Sequence, residues 1–161
     1  MIATANPQLL VAGIGEMVLT ADVDSQLVAY GLGSCVALAL WDPRARVGGL
    51  AHFMLPSGSA GGPPVKFVET GMAAFLAAFE AHGGSPRRAQ IKAAGGAAML
   101  ALSASALAIG RRNAQAVETA LGERGLALYA SDLGGNAGRT VQLDVASGRL
   151  HVKSLMKTAD L

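Results

Sequence analysis

Two runs of apolar residues, 36–41 and 47–55, dominate the hydrophobic pattern in the first third of the chain. Each run has the length and composition of a buried β-strand. Between them stands Asp42-Pro43, a pair that favours a turn, because proline presets φ and an aspartate side chain can bond the backbone that follows it. Two such strands joined by a short loop are typical of a β-hairpin.

The position of the loop decides which residues face each other in this hairpin. If the loop consists of the four residues 42–45, Trp41 lies opposite Arg46 and Cys35 lies opposite His52. Directly opposed side chains have Cβ atoms roughly 4.5–5.5 Å apart, so a thiol and an imidazole come within reach of each other. A slip of one residue would send them to opposite faces of the sheet, and a five-residue loop would also break this pairing.

Elsewhere the pattern predicts short strands and two amphipathic helices. Apolar residues recur at helical spacing from Val65 to Phe79, and that helix is expected to end at Gly83-Gly84. A second helix is expected around residues 116–121, with Asn113 as its candidate N-cap. Strands are expected at 9–14, 17–20, 26–30, 90–94, 126–129, 141–145 and 150–153, the last two forming a second hairpin, and loops at 56–64 and 132–139. Many short strands with two helices predict an α+β or layered α/β domain.

Composition limits the class of protein. The 161 residues, 52% hydrophobic and 15% charged, are enough for one domain with a sizeable core. The net charge is +2, and the short basic pairs 87–88 and 111–112 do not make the clustered basic face of a nucleic-acid-binding protein. We therefore expect a single domain over residues 1–161 that binds no nucleic acid.

Targeting and metal-binding signals are also missing from the sequence. Residues 1–7 lack the basic and apolar segments of a signal peptide, and no apolar run approaches the ~18–20 residues that span a bilayer. The single cysteine excludes an internal disulfide and a Cys-rich zinc site, and no helix-spaced His/Glu pair predicts another metal site. These features predict a cytoplasmic protein without membrane insertion, metal or cofactor.

A glycine-bearing segment, Gly-Leu-Gly-Ser at 31–34, precedes the only cysteine. It does not match a phosphate-binding loop, because Val36 stands where a dinucleotide fingerprint needs its third glycine and no Walker lysine follows. The segment is better interpreted as a turn that exposes Cys35. Free backbone N–H groups around Gly33 and Ser34 would then be available to stabilise an oxyanion.

Cys35 and His52 together fit a nucleophile and its base. An imidazole next to a thiol stabilises the thiolate–imidazolium pair, and this would lower the pKa of the thiol. Taken singly, each residue has a plainer interpretation. A lone cysteine is usually a small buried hydrophobe, and His52 stands between Ala51 and Phe53 like a hydrogen-bonded core histidine.

Five sequence blocks extend this picture along the chain. Gly-Leu-Gly-Ser-Cys-Val-Ala at 31–37 and Gly-Gly-Leu-Ala-His-Phe-Met-Leu-Pro at 48–56 contain the two candidate residues. Lys-Ala-Ala-Gly-Gly-Ala at 92–97, Ile-Gly-Arg-Arg-Asn at 109–113 and Asp-Leu-Gly-Gly-Asn-Ala-Gly-Arg at 132–139 follow. Together they resemble the motifs of the CheD family, the chemoreceptor glutamine deamidases of bacterial chemotaxis. The resemblance covers most of residues 11–153.

The resemblance implies an activity, a fold and partners. It implies hydrolysis of selected glutamine side chains on methyl-accepting chemotaxis receptors to glutamate, through a cysteine thioester, and it maps the family's Cys/His pair onto Cys35 and His52. The implied fold is a layered β-sandwich with flanking helices, similar to that of cytotoxic-necrotising-factor-type deamidases. The implied partners are the cytoplasmic helices of chemoreceptors, which segment 57–62 is expected to contact, and, for some members, a CheC-type phosphatase.

One position departs from the family's pattern. Family members commonly carry a threonine five or six residues before the cysteine as a third catalytic residue, and here those positions hold Tyr30 and Ala29. Another side chain such as Ser34 or Tyr30, or a backbone carbonyl, then orients His52, or the activity is reduced. A CheD-like docking module without turnover is therefore the alternative to an enzyme. A redox thiol protein is a weaker alternative, because a resolving cysteine is absent.

Overall fold

The fold was analysed in a computed structural model, which describes residues 6–59, 61–99 and 103–161. These residues form ten strands and two helices. The elements are β1 (Leu9–Val11), β2 (Met17–Thr20), β3 (Gln26–Leu32), β4 (Val36–Asp42), β5 (Val47–Phe53), α1 (Val68–Ala81), β6 (Gln90–Gly95), α2 (Ala104–Gly122), β7 (Ala130–Leu133), β8 (Arg139–Asp144), β9 (Leu150–Lys153) and β10 (Thr158–Asp160).

The strands form two five-stranded mixed sheets. Sheet A has the order β1-β3-β8-β9-β10, and sheet B has the order β2-β5-β4-β6-β7. The β1–β3 and β6–β7 pairs are parallel, whereas the central β4–β5 and β4–β6 pairs are antiparallel. The predicted α+β class and the layered sandwich are confirmed.

The molecule has three layers: sheet A, sheet B and the two helices. Buried side chains of both sheets fill a layer that we call the inter-sheet core: Leu27, Ala29, Val141 and Leu143 from sheet A, with Ala37, Ala39, Leu50 and Ala94 from sheet B. The other face of sheet B packs on the helices through Leu38, Leu40, Phe53, Met72, Phe75 and Val117. Strands β4 and β5 are thus buried on both faces, which explains why each is a continuous apolar run.

The β4–β5 hairpin is confirmed, but its predicted register is wrong. Trp41 lies opposite Gly48 and Asp42 opposite Val47, so the four-residue loop is 43–46 and not 42–45. The Asp42 carboxylate accepts hydrogen bonds from the backbone N–H groups of Arg44 and Ala45, which closes the turn after the aspartate. Because the loop starts one residue later, every pairing across the hairpin moves by two residues.

The helices differ from prediction mainly in the residue at which each begins. Helix α1 begins at Val68 and ends, as expected, just before Gly83, which has φ +93°. Helix α2 begins at Ala104, so Asn113 lies in its middle and is not an N-cap. The segment before Asn113 is rich in alanine, the best helix former, although it shows little amphipathic pattern.

Two strands near the end of the chain were placed wrongly or not predicted. Strand β7 is Ala130–Leu133 and not 126–129, because Leu126 and Leu128 pack against the helix-covered core instead of joining the sheet. It takes up the first residues of the predicted 132–139 loop. The three-residue edge strand β10 was not predicted. Residues 57–59 and 61 in the predicted 56–64 loop have no regular structure, and residue 60 lies outside the described residues.

Candidate active site

The loop that carries Cys35 lies directly before β4 and is held by its carbonyl groups. Three successive carbonyls of residues 33–35 each accept a hydrogen bond from outside the loop. The donors are the Ala97 amide at 2.9 Å for Gly33, the Asn113 side-chain amide at 2.8 Å for Ser34 and the Gly96 amide at 2.8 Å for Cys35. These three bonds hold the backbone of the loop in place.

The second glycine turn, residues 95–97, fits tightly against this loop. A Cβ atom on Gly95 would lie 2.2 Å from the Cys35 carbonyl oxygen, and Gly95 has φ +115°. Only glycine is compatible with that approach and that backbone conformation. The buried Arg139 side chain supports the turn from behind, since its guanidinium donates to the Gly95 carbonyl at 2.8 Å and to the Gly134 carbonyl at 2.6 Å.

His52 is buried in β5, with 2% of its surface exposed, and it lies opposite Ala37 of β4. Its Nδ1 is 3.1 Å from the carbonyl oxygen of Ala12. A carbonyl oxygen only accepts hydrogen bonds, so Nδ1 carries the proton and Nε2 carries the lone pair. Nε2 is buried and has no hydrogen-bond partner among the described residues.

The segment that supplies the Ala12 carbonyl is fixed to the backbone of His52. The Gly15 amide donates to the His52 carbonyl at 2.8 Å, and the His52 amide donates to the Glu16 carbonyl at 3.0 Å. The Glu16 side chain folds back and accepts from the Gly13 amide at 3.0 Å. These bonds set the position of the Ala12 oxygen relative to the imidazole ring.

Cys35 and His52 share a sheet face but are not directly opposed. Phe53 lies opposite Val36 and His52 opposite Ala37, which corrects the predicted Cys35–His52 pairing to a diagonal one. Side chains alternate along a strand, so Cys35 and Ala37 point to the same side, and Cys35 packs against the inter-sheet core. Diagonal neighbours on one face are about 7 Å apart, within reach of a long side chain such as histidine.

Burial governs the protonation of both groups. It raises the pKa of the Cys35 thiol, and a hydrogen bond from the backbone of Cys35 itself opposes this only in part. Burial also lowers the pKa of His52, against the opposing effects of the Ala12 carbonyl and the Glu16 carboxylate. The predicted lowering of the thiol pKa is therefore wrong, because burial of Cys35 raises it.

The position of the family's threonine offers no side-chain partner to His52. Ala29 is fully buried in the inter-sheet core, and Tyr30 points to the other side of β3, where 53% of its surface is exposed. Tyr30 was one of the options left open by the sequence, and its side chain does not contact His52 in the described structure. Of the options left open by the sequence, the backbone carbonyl of Ala12 is the one that contacts the imidazole.

An open groove lies on the outer side of the Cys35 loop. Its volume is about 580 Å³, and its walls are mostly apolar. The lining includes Tyr30, Gly31, Gly33, Met99, Lys153 and Leu155. The groove reaches Gly33, and neither Ser34 nor Cys35 lines it.

Comparisons with known proteins show the family of the chain. The family described as CheD chemotactic sensory transduction matches residues 54–154. Similar proteins named probable chemoreceptor glutamine deamidase CheD include one from Symbiobacterium thermophilum, 45% identical over 92% of this chain and 93% of the relative. Another from Haloarcula marismortui is 40% identical over 93% and 87%. A third, from Thermococcus kodakarensis, is 38% identical over 89% and 91%. The chain belongs to the CheD family.

The CheD blocks recognised in the sequence converge on one place in the fold. The 92–97 block supplies β6 and the glycine turn behind Cys35, and the 132–139 block ends in Arg139, which holds that turn. The 109–113 block lies in α2 and contributes Asn113. The supporting roles of Arg139 and Asn113 were not predicted, because nothing in their local sequence shows which distant carbonyls they bind.

Among the described residues, no helix is long and apolar enough to cross a membrane.

Proposed function

We propose that this chain is a protein-glutamine deamidase, a single domain that hydrolyses selected glutamine side chains of chemoreceptors to glutamate. Cys35 is the nucleophile and His52 the base. One observation carries the proposal: the Nε2 of His52 is buried and has no partner in the described structure, and it lies on the same sheet face as the only cysteine of the sequence. The names of the CheD relatives supply the substrate class.

The first half of the reaction forms a thioester. The Cys35 sulfur attacks the carboxamide carbon as its proton passes to His52 Nε2, and the C=O electron pair moves to the oxygen. The backbone N–H groups around Gly33 and Ser34 stabilise this oxyanion in the proposal. The bonds to the carbonyls of residues 33–35 hold the backbone that carries these groups. The imidazolium then protonates the nitrogen, the C–N bond breaks and ammonia leaves.

The second half restores the thiol. His52, neutral again, takes a proton from water as the water oxygen attacks the thioester carbon. The C–S bond breaks, the proton returns to sulfur, and the glutamate carboxyl group is released. The sum is one amide and one water converted to one carboxylic acid and one ammonia, with no redox change.

The Ala12 carbonyl takes the orienting role in this proposal. It fixes the tautomer in which Nε2 is the base, and it stabilises the imidazolium that forms when sulfur attacks. A threonine before the cysteine is then not required for turnover. The absence of that threonine at Ala29 still favours one competitor, a CheD-like docking module that binds receptors or a CheC-type phosphatase without catalysis.

Purified receptor cytoplasmic domain tests the proposal. We expect the wild-type protein to release ammonia and to convert receptor glutamine to glutamate by mass spectrometry. Cys35→Ala should abolish both signals, and His52→Ala should lower the rate by about 10²- to 10⁴-fold, the usual contribution of a general base. His82→Ala is the matched control, because His82 is an exposed histidine that bonds Ala78 at the end of α1.

Two outcomes contradict the proposal. Ammonia release that survives Cys35→Ala would exclude the cysteine as nucleophile. Binding of the receptor domain by wild-type protein with no ammonia release would leave the docking module as the function.

A further inference from the structure

The side chain of Asn113 is fully buried and lies between two backbone carbonyls from separate parts of the chain. Its Nδ2 donates to the Ser34 carbonyl at 2.8 Å and to the Met54 carbonyl at 2.9 Å. Its Oδ1 is also buried and has no partner in the described part of the chain, so only the donor half of the amide is used. An amide that binds two carbonyls with one nitrogen joins the segments to which they belong.

Those two segments are the ends of the strands that carry the reacting groups. Ser34 directly precedes Cys35, and Met54 follows His52 by two residues. The β4–β5 ladder has its last pair at Val36 and Phe53, so both carbonyls lie beyond the paired region. At this open end of the hairpin, Asn113 provides a connection that the ladder no longer gives.

A backbone contact of α2 close to Asn113 sets the distance between this helix and the 95–97 turn. Gly110 precedes Asn113 by three residues and is therefore on the same face of the helix. A Cβ atom on Gly110 would lie 2.3 Å from the Ala97 carbonyl oxygen, so the helix backbone rests directly on the 95–97 turn. This contact sets how far the Asn113 amide reaches toward the hairpin.

We propose that Asn113 is a positioning residue, which holds the Cys35 loop and the end of β5 at the separation needed for proton transfer from the thiol to His52. The inference rests on the proposed function, because it assigns Asn113 a role in the geometry of that same site. Asn113 contacts neither reacting group directly and acts through the backbone of both. Loss of its donors should therefore loosen the site without removing either group.

The test compares Asn113→Asp, which keeps the shape but replaces the donor by an acceptor, with Asn113→Ala. Deamidation of the receptor domain gives kcat and KM against pH, and iodoacetamide labelling of Cys35 against pH is measured without receptor. Lys92→Met is the matched control, since Lys92 is buried and also bonds two backbone carbonyls, those of Gly148 and Leu161, away from the Cys35 loop. Circular dichroism and thermal melting report folding of each variant.

We expect both Asn113 variants to lose about 10- to 100-fold in kcat with little change in KM, as a displacement of about 1 Å produces. Water entering the loosened site should move both titrations toward ordinary values, upward for His52 in the acid limb of kcat and downward for Cys35 in labelling. Lys92→Met should melt earlier but leave both titrations in place. A purely structural role for Asn113 would behave like Lys92→Met.

A folded Asn113→Asp protein with wild-type kcat and unchanged titrations of His52 and Cys35 would overturn the inference. If Asn113→Asp does not fold, the same measurements on Asn113→Ala decide. If neither folds, Gly110→Ala decides, since it keeps Asn113 but pushes α2 off the turn and must then shift both titrations in the same directions. Labelling needs no receptor, so the two proposals are separable. If the labelling titration of Cys35 shifts in the Asn113 variants but the wild-type protein does not deamidate the receptor domain, the proposed function is refuted and the positioning role is supported. If the wild-type protein deamidates the receptor domain but the labelling titration does not shift, the function is supported and the positioning role is refuted.

Discussion

At the scale of single residues, burial acts on both proposed catalytic groups. It raises the pKa of the Cys35 thiol and lowers that of His52, so in the proposed mechanism charge develops on both groups as the sulfur attacks. The Ala12 carbonyl and the Glu16 carboxylate then stabilise the imidazolium. In the proposed mechanism His52 therefore acts as a general base toward a neutral thiol, which differs from a cysteine that rests as a thiolate.

The state of His52 predicts the pH dependence of the activity. Because burial lowers the pKa of His52 below its ordinary value of 6.5, the base stays neutral into mildly acidic solution. We expect kcat/KM to be constant near neutral pH and to fall only below the usual histidine range as the imidazole is protonated. Rates of receptor deamidation from about pH 5 to 8 check this, and an acid limb above pH 6.5 would contradict it.

At the scale of elements, the β4–β5 hairpin depends on the buried carboxylate of Asp42. It closes the loop through the amides of Arg44 and Ala45, and it reaches the segment after α1 through the Ser85 amide at 2.9 Å and the Arg88 guanidinium at 2.6 Å. The turn thereby sets the register that brings Cys35 and His52 to one face. Burial alone would raise the pKa of Asp42, but the hydrogen bonds from Arg88 and the three amides outweigh it and lower the pKa.

Asp42→Asn should lower the free energy of unfolding by about 2–3 kcal/mol at pH 7, because charge-assisted hydrogen bonds are lost in a buried place. The wild-type advantage is complete above the unfolded aspartate pKa of about 3.9 and is lost as the pH falls through the lower folded pKa. Urea unfolding at neutral and acidic pH measures it. Asp24→Asn, an exposed aspartate in the loop before β3, is the control; a gap that widens in acid would contradict the prediction.

At the scale of the whole molecule, Lys92 links the two sheets. It lies on β6 of sheet B, and its Nζ donates to the Gly148 carbonyl at 2.7 Å, in the turn between β8 and β9 of sheet A, and to the Leu161 carbonyl at 2.8 Å. Leu161 in turn bonds the backbone of Leu150 in β9. One ammonium group thus connects sheet B to the β8–β9 turn and to Leu161. Burial lowers the pKa of Lys92.

Lys92→Met should cost about 1–3 kcal/mol of unfolding free energy at neutral pH, because two carbonyls lose their donor. Since the folded pKa of Lys92 lies below its unfolded value, its contribution grows as the pH rises through the folded pKa and is complete above the unfolded one. Denaturant unfolding of both proteins from neutral to alkaline pH should show a widening gap. Lys153→Met, which replaces an exposed lysine on β9, is the control. A difference in unfolding free energy between wild type and Lys92→Met that narrows as the pH rises would contradict the assignment.

The sequence was sufficient to predict the elements whose signals are local, and it failed where distant contacts decide. The apolar runs of β4 and β5 and the helical spacing in α1 come from burial patterns, so they were predictable. The register was not, because it depends on where Asp42 closes its turn. The sequence predicts an N-cap at Asn113, because asparagine is a favoured capping residue, whereas its side chain binds the backbone of Ser34 and Met54.

The bond between His52 and the Ala12 oxygen changes what mutagenesis can find. Replacing the side chain of Ala12 leaves its main-chain oxygen in place. Under the proposed mechanism, a mutagenesis scan of side chains would therefore find Cys35 and His52 essential and would miss the group that orients the histidine. Sensitivity moves instead to residues that shape this stretch of backbone. Gly15 is the clearest, with φ +77° and room for no Cβ, since one there would lie 2.9 Å from Pro63. A substitution at Gly15, which has no side chain, should therefore lower activity as the loss of a third catalytic side chain would in the proposed mechanism.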